Sequence, residues 1–160
     1  MAIYLDYDGI SGNVTAKGFE QCMEINTVRF GVSRPITMEA GKMANREVGK
    51  PALTQVILRK KADNSVTAFF KESVAGSSGK TATLTFVRTG SDKVETFMQY
   101  TLHDCLVSRY HIIAKNDEEP TEHIALSFSQ CEINYIDHDA SNKTGNPQRT
   151  GYDLSKATRL

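Results

Sequence analysis

A chain of 160 residues, 39% of them hydrophobic, is long enough to fold as one domain without a disulfide or metal to hold it. Its 19 basic and 19 acidic residues cancel, which argues against nucleic acid as a partner, because phosphate binding normally leaves a net basic footprint. The N-terminus carries Asp6 and Asp8 instead of a basic start and an apolar core, unlike a secretory signal peptide, and no apolar run approaches the ~20 residues of a membrane-spanning helix.

Alternation dominates the chain. Ile3, Leu5 and Tyr7 oppose Tyr4, Asp6 and Asp8, the period of a half-buried strand, and Gly9 and Gly12 punctuate a turn after it. Strand-like segments follow at 22–32 and 53–61. Between them, residues 33–51 hold two prolines, two glycines and six charges with neither a strand nor a helix period. That composition predicts an extended loop, of a length usually either functional or disordered: a solvated, mobile loop, or one that orders itself on a partner by burying Met38, Met43 and Val48. Asp63, Asn64 or Ser65 can cap a helix over 66–75, and Gly76 stops it. Val66, Phe69, Phe70 and Val74 give that helix an apolar stripe suited to plugging a barrel. Ala82, Leu84 and Phe86 then alternate with threonines, and the turn at 89–93 makes a hairpin with a strand whose apolar face is Val94, Met98, Tyr100 and Leu102. Ile124, Leu126 and Phe128 share one parity while Cys131, Ile133 and Tyr135 take the other, which predicts a β-bulge at Ser129–Gln130. The expected fold is mainly β, a single domain over 1–160. It is an antiparallel β-barrel of two packed curved sheets with one short α-helix on its flank.

The chemical motifs resolve to structural readings. Gly76-Ser77-Ser78-Gly79-Lys80-Thr81 resembles a phosphate loop, but the position where the first glycine belongs is Val74. The segment also leaves a helix for a strand, the reverse of the order that aims amides at an anion. His103, His111, His123 and His138 have no zinc spacing, and Asp137-His138-Asp139 reads as a solvated strand end. Asp117-Glu118-Glu119, with Glu122 just beyond, reads as an exposed acidic turn rather than a desolvated catalytic acid. Cys22, Cys105 and Cys131 lie far apart in strand patterns and read as small buried hydrophobes. No catalytic residue, cofactor or metal is expected.

Several strings stand in a fixed order along the chain: Gly9-Ile10 with Gly12, Phe30-Gly31-Val32-Ser33-Arg34-Pro35-Ile36, Asn45-Arg46-Glu47 with Pro51, and Phe86-Val87-Arg88-Thr89-Gly90. Tyr100-Thr101-Leu102, Leu106-Val107-Ser108, Pro120-Thr121-Glu122, Leu126-Ser127-Phe128 and Gly151-Tyr152-Asp153-Leu154 continue the series. Together they resemble the haemolysin-coregulated protein (Hcp) family, the tube subunits of bacterial type VI secretion systems. The resemblance covers nearly the whole chain, and the order of the strings makes it specific. It implies a homohexameric ring, stacked rings forming a tube, and partners in a spike protein at the tube tip, a contractile sheath and secreted effectors. It further implies a cytoplasmic protein exported by the type VI machine without a signal peptide, and not an enzyme. An appended C-terminal toxin domain is not expected, because the sequence runs only a few residues past Gly151. In the family the extended loop takes part in contacts between rings. Ring-stacking contacts are therefore expected of Arg34, Glu39, Lys42, Arg46, Glu47 and Lys50, with Asp117, Glu118, Glu119 and Glu122 as the acidic surface they would meet. The runner-up is a monomeric β-barrel binding module with a small ligand in its interior.

Overall fold

The computed structural model describes residues 1–38, 40–41, 47–89, 93–138 and 144–160. Among these residues the chain forms, in order, β1 (Ala2–Tyr7), β2 (Met23–Glu24), β3 (Thr27–Arg29), β4 (Val32–Ser33), β5 (Ile36–Thr37), β6 (Glu47–Val48), β7 (Ala52–Leu53) and β8 (Val56–Lys61). The helix α1 (Val66–Ala75) follows, then β9 (Lys80–Thr89), β10 (Val94–Ile113), β11 (Thr121–Ser127), β12 (Gln130–His138), β13 (Thr144–Asp153) and β14 (Thr158–Arg159). Period-2 alternation does what it predicts. In β1 the side chains of Ile3, Leu5 and Tyr7 are buried, and in β8 those of Val56, Leu58 and Lys60.

Every strand pairing among the described residues is antiparallel. One curved sheet runs β2–β1–β9–β10–β12–β13–β14, and the other runs β3–β8–β11–β10. Two segments belong to both. The first half of β10 pairs with β12 and its second half with β11. Between β2 and β3, the Ile25 N–H donates to the Ile3 carbonyl on β1, while the next amide, Asn26, donates to Arg59 on β8. The hydrogen-bonded circuit therefore closes through these two corners, and a closed sheet is a barrel. Leu5, Met23, Leu58, Phe69, Leu84, Leu102 and Leu126 fill its centre with no exposure to solvent. Among the described residues, buried side chains pack the interior that the small-ligand alternative would need open.

The expected bulge at Ser129–Gln130 is absent, because His103 faces Gln130 and Leu106 faces Ser127 in one unbroken register. What flips the parity is a corner that both strands turn together. On β10 the buried series passes from Leu102 to Cys105, and opposite it from Phe128 to Cys131. Asp104 takes a left-handed conformation at φ 53° to make the turn. Register shifts fall elsewhere: on β10 at Thr96/Met98 and Leu102/Cys105 against β9 and at Val107/Arg109 against β11, and between Ile136 and His138 of β12 against β13. Gly79 packs on this corner: a Cβ there would come within 2.8 Å of the Asp104 Cα. The string that imitates a phosphate loop thus has its glycine for backbone clearance.

The helix occupies its expected span with Ser65 at its N-cap and Gly76 at its C-cap. The Ser65 hydroxyl donates to the Asp63 carboxylate rather than accepting from a helix amide, and the Gly76 N–H donates to the Glu72 carbonyl at 2.9 Å. Its stripe does not plug the barrel as a whole. Phe69 is fully buried, but Phe70 is 58% and Val74 71% exposed, because a helix lying on a barrel buries one narrow side. Phe70 meets the edge of Tyr110, at 6.3 Å between ring centroids.

A buried polar cluster joins the helix to the barrel. Lys60 and Glu122 lie opposite each other in the β8–β11 register, both on the core face and both with no solvent exposure. The Lys60 ammonium pairs with Glu122 Oε2, with Asp63 Oδ1 at 2.8 Å and with the Lys61 carbonyl at 3.1 Å. Tyr110 donates its hydroxyl to Glu122 Oε1 at 2.8 Å. Glu122 is therefore not part of an exposed acidic turn. Strand alternation points it inward, and its charge is spent on Lys60. Burial, together with the Glu122 carboxylate, holds the Tyr110 phenol well above its usual range. Burial also pushes the Asp63 carboxyl up, but the hydrogen bonds from Lys60 and Ser65 outweigh it and leave the group below the usual carboxylate range.

Two outcomes follow from this cluster. Lys60→Ala leaves a buried carboxylate unpaired and is expected to cost about 3–5 kcal/mol in urea unfolding, whereas Lys60→Met with Glu122→Leu recovers most of that loss. Because the folded-state pKa of Asp63 is depressed, its contribution is present above the ordinary carboxylate pKa and is lost as pH falls through the folded value. Urea midpoints measured from about pH 6 to pH 3 should fall less steeply for Asp63→Asn than for the unaltered protein.

Candidate functional site

The segment 33–51, expected as a loop without periodicity, forms a two-stranded arm where it is described. At its base Val32 faces Leu53 and Ser33 faces Ala52; further out Ile36 faces Val48 and Thr37 faces Glu47. The Thr54 N–H donates to the Gly31 carbonyl, and the Gly31 N–H to the Thr54 hydroxyl, each at 2.9 Å. The register slips by one residue at Pro35, where the Gly49 N–H donates to the proline carbonyl at 2.9 Å. A side chain at Gly49 would run into the Pro35 ring. The slip and the proline erase the alternation that would have identified these strands in the sequence.

The arm exposes apolar side chains. Val32 is 64%, Ile36 53%, Met38 67% and Val48 49% exposed, an uncovered surface of the kind that marks interaction sites. Arg34 and Lys50 are also exposed. Glu39, Lys42, Arg46 and Met43 lie outside the described residues, as does the side chain of Glu47. At the arm's root, Phe30, Val32, Leu53, Ile133 and Tyr152 line an apolar hollow of about 170 Å³.

Asp117, Glu118 and Glu119 are exposed on the turn between β10 and β11, with Asp117 left-handed at φ 64°. Glu119 lies 3.0 Å from Lys61, and Glu118 lies 3.8 Å from Lys115. Pairs this exposed hold little energy, so the carboxylates stay available to another cation. The arm leaves the barrel near Leu53, beside Val56 at the start of β8. The acidic turn sits beside Lys61 at the end of β8, since Thr121 faces Lys61. Six residues of strand, roughly 20 Å, hold the two surfaces at opposite ends of the barrel.

The remaining candidates have local partners. Burial pushes the Cys105 thiol up to about 12 and the Cys131 thiol up to about 11, which keeps both protonated and unreactive. Cys22 departs from the expected pattern, being half-buried and just outside β2. His138 lies 3.3 Å from Glu95 with its ring nearly buried, not on a solvated end, while its neighbour Asp139 is outside the described residues. Among the described residues no three His, Cys, Asp or Glu side chains converge as metal ligands.

A family model described as "Type VI secretion system effector, Hcp" matches residues 4–135. No curated protein matches the chain. Among solved structures, one described as a type six secretion system protein superposes with a TM-score of 0.91 at 21% identity, covering 99% of each chain. Hcp1 from Salmonella typhimurium gives a TM-score of 0.80 at 22% identity, covering 99% of this chain and 98% of its own. A type VI secretion system effector from Yersinia pestis gives 0.73 at 12%, covering 94% of this chain and 98% of its own. At such identities the structures speak for the fold, an antiparallel barrel with a flanking helix. The sequence match reaches further, since it spans from β1 into β12, and by it the chain belongs to the Hcp family of type VI secretion systems.

Proposed function

We propose that this protein is the subunit of the type VI inner tube. Six copies close a ring, rings stack into a tube that the contractile sheath expels behind its spike, and effectors ride in or are protected by the lumen. The protein acts by assembly rather than catalysis, and it passes from the cytoplasm through the machine.

The observation that carries this reading, beside family membership, is the placement of the arm. A cationic and apolar arm at one end of β8 and an acidic turn at the other cannot meet within one chain. They can meet between copies placed end to end, as a heterologous contact that repeats without limit along an axis. Apolar side chains at Ile36, Met38 and Val48 supply the buried area of that contact. Arg34 and Lys50, together with Lys42 and Arg46, set its register against Asp117, Glu118 and Glu119. Glu122, enclosed in the core, takes no part.

Light scattering is expected to give a mass of about 106 kDa for six chains of 17.7 kDa, with annular particles in negative stain. A strict 17.7 kDa species at high concentration would sink the ring. Replacing Ile36 and Met38 by aspartate should leave the ring mass unchanged and abolish stacking, read as the loss of filaments and of higher-mass species. If stacking persists with the arm so altered, the arm does not join the rings.

A further inference from the structure

The outward face of the sheet β3–β8–β11–β10 carries a charge pattern that the neutral composition hides. In the paired stretches of these strands, Thr27–Arg29, Val56–Lys61, Thr121–Ser127 and 106–113, Glu122 is the sole acid, and it is buried facing the core. The outward positions hold Arg29, Arg59, Lys61 and Arg109 with His111 and His123, and of these Lys61 is paired with Glu119 of the adjoining turn. The register sets His111, His123 and Arg59 in one row across three strands, and Arg109, Ala125, Ile57 and Arg29 in the next across four. Among the described residues none of the three arginines has an ion-pair partner. Arg109, His111, His123, Ile57 and Ile113 surround a shallow hollow of about 150 Å³, in which Ile57 is 38% and Ile113 49% exposed.

From this face we infer a docking surface for an acidic polypeptide segment with an apolar anchor, the class of cargo the assembled ring would carry. The inference deepens the tube-subunit reading and rests on it for where such cargo is met. Three guanidinium forks with no ion-pair partner among the described residues match carboxylates by shape as well as charge, and the hollow beside Arg109 takes an apolar side chain. That mixture of Arg with buried aliphatic contacts is the make-up of a protein interface. Single-stranded nucleic acid would ask for broad aromatic platforms, and the outward positions of these strands carry no Phe, Tyr or Trp, only the imidazoles of His111 and His123.

The test uses the full chain and two labelled peptides, one alternating Glu with Leu and one with Gln in place of Glu, read by fluorescence anisotropy at low salt. The acidic peptide is expected to bind at least about tenfold tighter, and the variant Arg29→Gln/Arg59→Gln/Arg109→Gln should lose that preference. Ile57→Asp should weaken binding independently, through the anchor. Equal binding of both peptides, or a triple variant that binds as the parent does, overturns the inference. A single-stranded oligonucleotide of equal charge that binds as tightly and responds equally to the variants overturns the assignment to polypeptide. Mass is recorded on the same samples. Binding by a 17.7 kDa species would support the face and remove the ring, whereas a ring without binding would do the reverse.

Discussion

A buried cation on the core face of β8 constrains the rest of the barrel. Lys60 has no exposure to solvent, and an ammonium in such a place is tolerable only if acceptors surround it. Glu122 from β11, Asp63 from the turn before α1, and the Lys61 carbonyl surround it. Phe69 from the helix lies 6.0 Å from the ammonium through its ring face. The pair adds little over apolar side chains of the same volume. Its consequence is register: sliding β8 by one residue against β11 would part Lys60 from Glu122 and turn Arg59 inward with no partner. The same cation holds Asp63, and Asp63 in turn holds Ser65 at the start of the helix, so strand register and helix position are set together.

Closure of the barrel depends on a different device. A sheet with a flat twist cannot return to its own first strand, and here two corners supply the bend. At one, β10 and its partner flip faces together around Asp104 while keeping their pairing. At the other, consecutive amides at Ile25 and Asn26 serve different sheets. One sheet still extends beyond the closed circuit through β13, whose exposed portion from Thr144 carries Pro147 and pairs with β12 on one side, while the two-residue β14 covers its other side at Tyr152 and Asp153. Proline and brevity both blunt an edge against indiscriminate pairing.

What the sequence disclosed and what it hid divide along physical lines. Wherever a strand keeps one face to the core, as with Ile3, Leu5 and Tyr7, period-2 alternation reports it. The helix announced itself through its caps. Three features escaped for three reasons. Lys60 and Glu122 obey the alternation perfectly, but their residue types suggest a surface; reading position before polarity would have found them. The arm's strands are two residues long and slip register at Pro35, so no window contains a period. The parity switch after Phe128 was visible, but a bulge and a corner leave the same trace in one strand. Only the matching switch from Leu102 to Cys105 on the partner tells them apart. Of the residues named for ring contacts, Arg34, Lys50 and the acidic turn are on the surface, while Glu122 is not.

Net charge is a poor guide to what a folded surface meets. At physiological ionic strength the screening length is about 8 Å, shorter than the width of a four-stranded sheet at about 4.8 Å per strand spacing. A partner resting on β3–β8–β11–β10 therefore responds to the arginines beneath it and hardly to the acids that balance them elsewhere. The zero total argues against long-range attraction to a polyanion, and the segregated face argues for short-range selection among partners already brought near. Confinement inside an assembly is the circumstance in which the second matters more than the first. Fold and assembly would supply the proximity, and the sheet face would supply the choice.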